Sequence, residues 1–130
     1  MDLEIKKAVA GIFEEYNEVI AVFLIGSTAS GNSRPDSDID LAFLTDGGKN
    51  LDSVTRVYIA NLLSYQLSKP VDLGQISSKN LVFAREALLK GHPVFVRDEE
   101  RMNMIRANLL GMYIQYNLDR KEVVDAYITG

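Results

Sequence analysis

The stretch VIAVFLIGSTASGNSRPDSDIDLAFLT, residues 19–45, decides how the chain is read. Its first part, VIAVFLIGS (19–27), is a short β-branched and aliphatic run stopped by Gly26. Such a run predicts a strand buried on both faces. TASGNSRPDS (28–37) is small and polar and carries Gly31 and Pro35, the composition of a loop. DIDLAFLT (38–45) is a second strand, closed by the turn signal Asp46-Gly47-Gly48.

Working outward, helical and strand-like segments alternate. Leu3, Ile5, Val9, Ile12, Phe13 and Tyr16 recur at helical spacing and predict a helix over 3–16. Leu51, Val54, Val57, Tyr58, Leu62 and Tyr65 predict another over 51–68, ended by Pro70. PVDLGQI (70–76) reads as a third strand. Ser77 and Ser78 are N-cap candidates for a helix over 79–90, which Gly91 terminates. HPVFV (92–96) is the fourth strand, and the remainder to about Tyr127 is helical, with a break expected between Asn117 and Arg120. The expected architecture is α/β, an α+β mixture in one domain over 1–130. It has a small mixed sheet of about four strands with helices packed mainly on one side.

Composition narrows the function. The chain has 130 residues, 47% of them hydrophobic and 25% charged, which suits a folded core rather than disorder. There is no cysteine, so disulfides, thiolate metal sites and a cysteine nucleophile are excluded. A single histidine, His92, rules out a multi-histidine zinc site, and its place between Gly91 and Pro93 reads as a turn. The net charge of −4 offers no basic face for a nucleic-acid backbone. No window reaches the roughly 18 apolar residues of a membrane span, and the first residues do not resemble a signal peptide. A cytoplasmic location is the expectation.

The chemistry gathers around the opening stretch. Side chains alternate along a strand, so Asp38 and Asp40 project from one side, with Ile39 and Leu41 on the other. Two carboxylates on one face repel unless a cation lies between them. Hard oxygen donors suit Mg²⁺, which fills the rest of its shell with water and substrate phosphates. Asp72 lies inside another apolar strand, where an acid is otherwise hard to explain. If the two strands are neighbours, three carboxylates converge, the minimum for two-metal phosphoryl or nucleotidyl transfer. Beside them, Gly26-Ser27 ends a buried strand in a turn whose N–H groups suit phosphate oxygens. No Gly-Lys-Ser/Thr follows, so this is not a Walker A loop.

The combination G26-S27-T28-A29-S30-G31, then S37-D38-I39-D40-L41, then an acid on a later strand resembles the nucleotidyltransferase superfamily that includes DNA polymerase beta. The length and the segment FAREALLKGHPVFVRDEE (83–100) look like its minimal nucleotidyltransferases, commonly paired with a small all-helical HEPN partner in toxin–antitoxin modules. The resemblance covers residues 20 to 100. It implies that Gly26 and Ser27 hold the β- and γ-phosphates of ATP, with Ser30, Gly31 and Ser37 completing the nucleotide contacts. Asp38 and Asp40 would ligate two Mg²⁺ ions, and Asp72 would ligate the catalytic ion and help deprotonate the acceptor. The implied activity moves AMP from ATP to a tyrosine of the HEPN partner in a hetero-oligomer. One departure stands out: Ser30 occupies a position where the family usually has arginine, and Arg34 lies four residues on.

Taken singly, Asp38 and Asp40 read as solvated residues at a strand start, and Asp72 as an edge-strand surface acid. Gly26-Ser27 alone is an ordinary strand-ending turn, and Ser37 a local turn hydroxyl. Only their company favours the sharper reading. Two rival functions remain: an antitoxin that neutralises its partner by contact, and a nucleotidyltransferase of the aminoglycoside type acting on a small molecule. The last helical segment carries Met102, Met104, Ile105, Leu109, Leu110, Met112, Tyr113, Tyr116 and Tyr127. It is either intramolecular core or a partner surface.

Overall fold

The structure, a computed structural model, describes residues 2–26 and 38–129. In chain order it contains α1 (Asp2–Phe13), β1 (Val19–Ile25), β2 (Ile39–Thr45) and a 3₁₀ turn (Asp46–Gly48). There follow α2 (Ser53–Leu67), β3 (Val71–Ile76), α3 (Leu81–Lys90), β4 (His92–Val96) and α4 (Glu99–Thr129). The four strands form one sheet in the order β3-β2-β1-β4. β1 runs antiparallel to β2 and β4, whereas β2 and β3 are parallel, with α2 as their crossover. The sheet is therefore mixed, as expected.

The helices, however, cover both faces rather than mainly one. On one face Val22, Leu24, Leu41, Phe43 and Leu73 pack against Ile5, Val9 and Phe13 of α1 and Ile59 and Leu63 of α2. On the other, Ala21, Phe23, Ala42, Leu44 and Ile76 pack against Ala84, Ala87 and Leu88 of α3 and Met102 and Leu109 of α4. The reason was already in β1 and β2: strands apolar at nearly every position have two faces to shield from water. A register shift between Val19 and Ala21 puts Val19 in the first cluster and both Ile20 and Ala21 in the second.

The helix ends show local chemistry at work. Asp52 caps α2 by accepting from the Thr55 amide at 2.7 Å, and Ser68 ends that helix in the left-handed region. α3 is capped by Asn80, whose Oδ1 accepts from the Phe83 amide at 3.1 Å, not by Ser77 or Ser78. Ser77 Oγ instead accepts from the Lys79 amide at 3.2 Å, closing the preceding turn. α4 is a single 31-residue helix with no break at Asn117–Arg120. Those four residues include neither Gly nor Pro, and side-chain bonds from Gln115 to Asp119 and from Arg120 to Asn117 run along the helix there. Among the described residues, no helix is long and apolar enough to cross a membrane.

Candidate active site

The crossover through α2 decides the site, because it lays β3 beside β2 in parallel register. Asp40 is the partner of Asp72 in that ladder, so the two acids sit on adjacent strands, about 5 Å apart at the backbone. Asp40 also pairs with Ile25 of β1, the residue before Gly26. Both acids share the face on which Ala42, Leu44 and Ile76 pack against α3 and α4, but they lie at the opposite end of the strands from Leu44 and Ile76. Asp72 is exposed on the edge strand and Asp40 is partly buried. Asp38 is exposed immediately before β2. The edge-strand reading of Asp72 is thus correct as geometry, yet that edge adjoins Asp40.

Electrostatics register the crowding. Burial pushes the Asp40 carboxyl above its ordinary value of 3.8, and the charges of Asp72 and Asp38 push it further. A partly buried carboxylate facing two like charges is a place where a divalent cation relieves strain that protein alone leaves in place. The described residues contain no closed cluster of three metal-ligating side chains. That is compatible with Mg²⁺, which takes one or two carboxylates and completes its shell with water and phosphate.

Gly26 completes the described part. Its φ is +76°, and a Cβ there would stand 2.6 Å from Asp40 Oδ2. Only glycine lets the chain turn at this point while the carboxylate lies against its backbone. Ser27, Ser30, Gly31 and Ser37 lie outside the described residues. One neighbour escaped the sequence reading. Arg56 of α2 lines a shallow depression of about 330 Å³ with Asp72 and Leu73. Its guanidinium donates to the Leu73 carbonyl at 3.4 Å and lies 5.8 Å from the centre of the Phe43 ring. A lone arginine on an amphipathic helix carries no signal that could have singled it out.

Residues 7–100 match the family described as polymerase beta, nucleotidyltransferase. The chain belongs to that family. Its likeness to curated relatives includes 25% identity over 104 residues to the protein adenylyltransferase MntA of Shewanella oneidensis, covering 80% of this chain and 73% of that protein. A chain of a toxin–antitoxin crystal structure with AMP-PNP superposes with a TM-score of 0.76 at 22% identity, with 98% of each chain covered. A chain from the complex of tri-AMPylated Shewanella oneidensis HEPN toxin with MNT antitoxin gives 0.74 at 21% identity, covering 98% of this chain and 99% of that one. The structural likeness extends beyond the nucleotidyltransferase match to include α4.

Proposed function

We propose that this chain is a magnesium-dependent adenylyltransferase that moves AMP from ATP onto a tyrosine of a helical, HEPN-type partner and acts as that partner's antitoxin. The observation that carries the reading is Asp40 in register with Asp72, with Asp38 bearing on Asp40 and the Gly26 turn against its carboxylate. Membership of the nucleotidyltransferase family supports the reaction class. The activity named for MntA, together with the AMP-PNP and tri-AMPylated complexes, supports the nucleotide and the kind of acceptor.

In this reading Asp38, Asp40 and Asp72 would hold two Mg²⁺ ions. When bound, the ions supply positive charge to offset that gathering on the attacking and leaving oxygens. Gly26 and Ser27 hold the β- and γ-phosphates, with Ser30, Gly31 and Ser37 completing the nucleotide contacts. Asp72 takes the proton from the acceptor hydroxyl as that oxygen bonds the α-phosphorus. The bond from the α-phosphorus to the bridging oxygen breaks, and pyrophosphate leaves with its electron pair. The 130 residues act as one minimal domain inside the cell, and the acceptor comes from the partner in a hetero-oligomer.

The test incubates the chain and its partner with Mg²⁺ and ATP labelled at the α- or γ-phosphate, with Asp38→Asn/Asp40→Asn as control. Label on the partner from the α-position alone, absent with the variant, is the expected result. ATP binding and a tight complex without label would mean inhibition by contact. Label on a small soluble product would mean a small-molecule enzyme.

A further inference from the structure

β3 is an edge strand, paired with β2 on one side only, and it carries a like charge against its neighbour. Asp72 and Asp40 stand in register, so without a cation their repulsion pushes β3 away from β2. The backbone of Asp72 is already committed to that pairing. The Ile39 amide donates to the Pro70 carbonyl at 2.9 Å, a phase of the parallel ladder that turns the amide and carbonyl of Asp72 toward β2. The same phase turns the backbone groups of Val71 and Leu73 outward.

α2 meets that outward edge at both residues flanking Asp72. The Ser64 hydroxyl accepts from the Val71 amide at 3.0 Å and donates to the Ala60 carbonyl at 2.8 Å, so its orientation is fixed by its own helix. Arg56, about two turns earlier on α2, donates to the Leu73 carbonyl at 3.4 Å. Its guanidinium lies 5.8 Å from the centre of the Phe43 ring, which steadies it there. α2 is itself anchored, because Ile59 and Leu63, between the two, are fully buried. From the other face of the sheet α3 closes on the same strand. A Cβ at Gly74 would stand 2.9 Å from Phe83 Cζ, so only glycine admits the ring this close.

We propose that Ser64 and Arg56 are positioning residues for Asp72. They hold the edge strand against the repulsion of its own carboxylate, so that Asp72 stands beside Asp40 before a cation arrives. The proposal rests on the reading of Asp38, Asp40 and Asp72 as the metal-holding set. The two hydrogen bonds fall on either side of the only acid in β3. Mg²⁺ demands near-ideal octahedral geometry, and a strand free to yield has to be drawn back on binding, which lowers the apparent affinity. Residues that orient metal ligands typically carry about 10–100-fold in affinity.

The test titrates Mg²⁺ alone, and Ca²⁺ alone, into the intact metal-free chain, followed by the amide NMR shifts of Asp40 and Asp72. Amide hydrogen exchange is measured in the absence of metal. Ser64→Ala and Arg56→Met should each weaken Mg²⁺ binding about 10-fold, and binding of Ca²⁺, whose coordination is flexible, by less. Ser64→Thr keeps the hydroxyl and should restore Mg²⁺ binding. Without metal, the amides of Asp72 and Gly74 should exchange faster in Ser64→Ala. Adding Asp72→Asn should slow them again, because the repulsion is gone. Arg56→Met with and without Asp72→Asn repeats the comparison from the other side of the acid. Unchanged Mg²⁺ binding in both variants overturns the proposal. So does an equal loss for both ions with no slowing by Asp72→Asn, the mark of hydrogen bonds that serve the fold alone. If the wild type binds neither ion at the carboxylates, the functional reading fails by itself, and the exchange rates still decide whether α2 restrains β3 against Asp72.

Discussion

Replacing Asp40 by asparagine should make the metal-free protein more stable while removing its activity. Asp40 faces Asp72 across adjacent parallel strands and feels Asp38 as well. Two unit charges about 5 Å apart repel by about 0.8 kcal/mol in water and about 3 kcal/mol at the effective dielectric of a protein surface. Asp72 is exposed, so solvent screening puts the relief near the lower figure, about 1 kcal/mol. For a chain of this length, that is about 4 °C in melting temperature. The sign of the pH dependence follows from the direction of the shift. Folding raises the Asp40 pKa above 3.8, so its contribution is favourable below that pH and lost as pH rises through the folded value. The advantage of Asp40→Asn is therefore full at pH 7 in EDTA and shrinks toward pH 3.8. Excess Mg²⁺ should reverse the order at pH 7, because it binds the folded wild type and loses a ligand in the variant. Melting curves with and without EDTA at pH 7 and pH 4 are the assay. A variant melting below wild type at pH 7 in EDTA, or a gap equal at both pH values, would refute the reasoning.

Three further outcomes are expected. Gly26→Ala forces a non-glycine residue to φ +76° with its Cβ 2.6 Å from Asp40 Oδ2. It should cost about 1–2 kcal/mol in a denaturant titration and abolish transfer even in protein that remains folded. Arg97 donates to the carbonyls of Val19 at 2.9 Å, Phe13 at 2.6 Å, and Glu14 and Tyr16 at 3.3 Å, binding the end of α1 to β1. Arg97→Ala should lose about 2–4 kcal/mol by urea unfolding, and Arg97→Lys should recover little of it, because an ammonium lacks the planar fork that reaches several carbonyls. Asp52→Ala should destabilise the protein at neutral pH and not at low pH. The Thr55 hydrogen bonds hold the Asp52 carboxyl below its ordinary value, so its contribution is present above that value and lost as pH falls through the lowered one. Thermal melts from pH 7 to pH 2 read this directly.

Much of the architecture was legible because it rests on local chemistry. Alternation and apolar runs located β1, β2 and β4, helical spacing located α1 and α2, and cap and stop signals located α3, each to within a few residues. The cap of α3 was misread because Ser77, Ser78 and Asn80 are all competent caps, and only the path of the chain decides which carboxamide or hydroxyl meets an amide. The break expected in α4 failed for a related reason: the polar Asn117, Asp119 and Arg120 resemble a loop until side chains there bond along the helix. The cover on both faces could have been inferred, since a strand predicted to be buried on both sides needs a layer on each.

The sequence by itself set Asp38 and Asp40 two residues apart at the entry to β2, the spacing that alternation puts on one side wherever both residues are extended. It also determined the glycine at position 26 and the absence of thiol or multi-histidine chemistry. The tertiary structure alone decided that Asp72 lies beside Asp40 and that Arg56 lines the adjacent depression. It alone left half of α4 uncovered. Which strand pairs with which is set by hydrogen bonds between residues distant in the chain, after helices have chosen their faces, and those partners leave no local mark on the residues that make them.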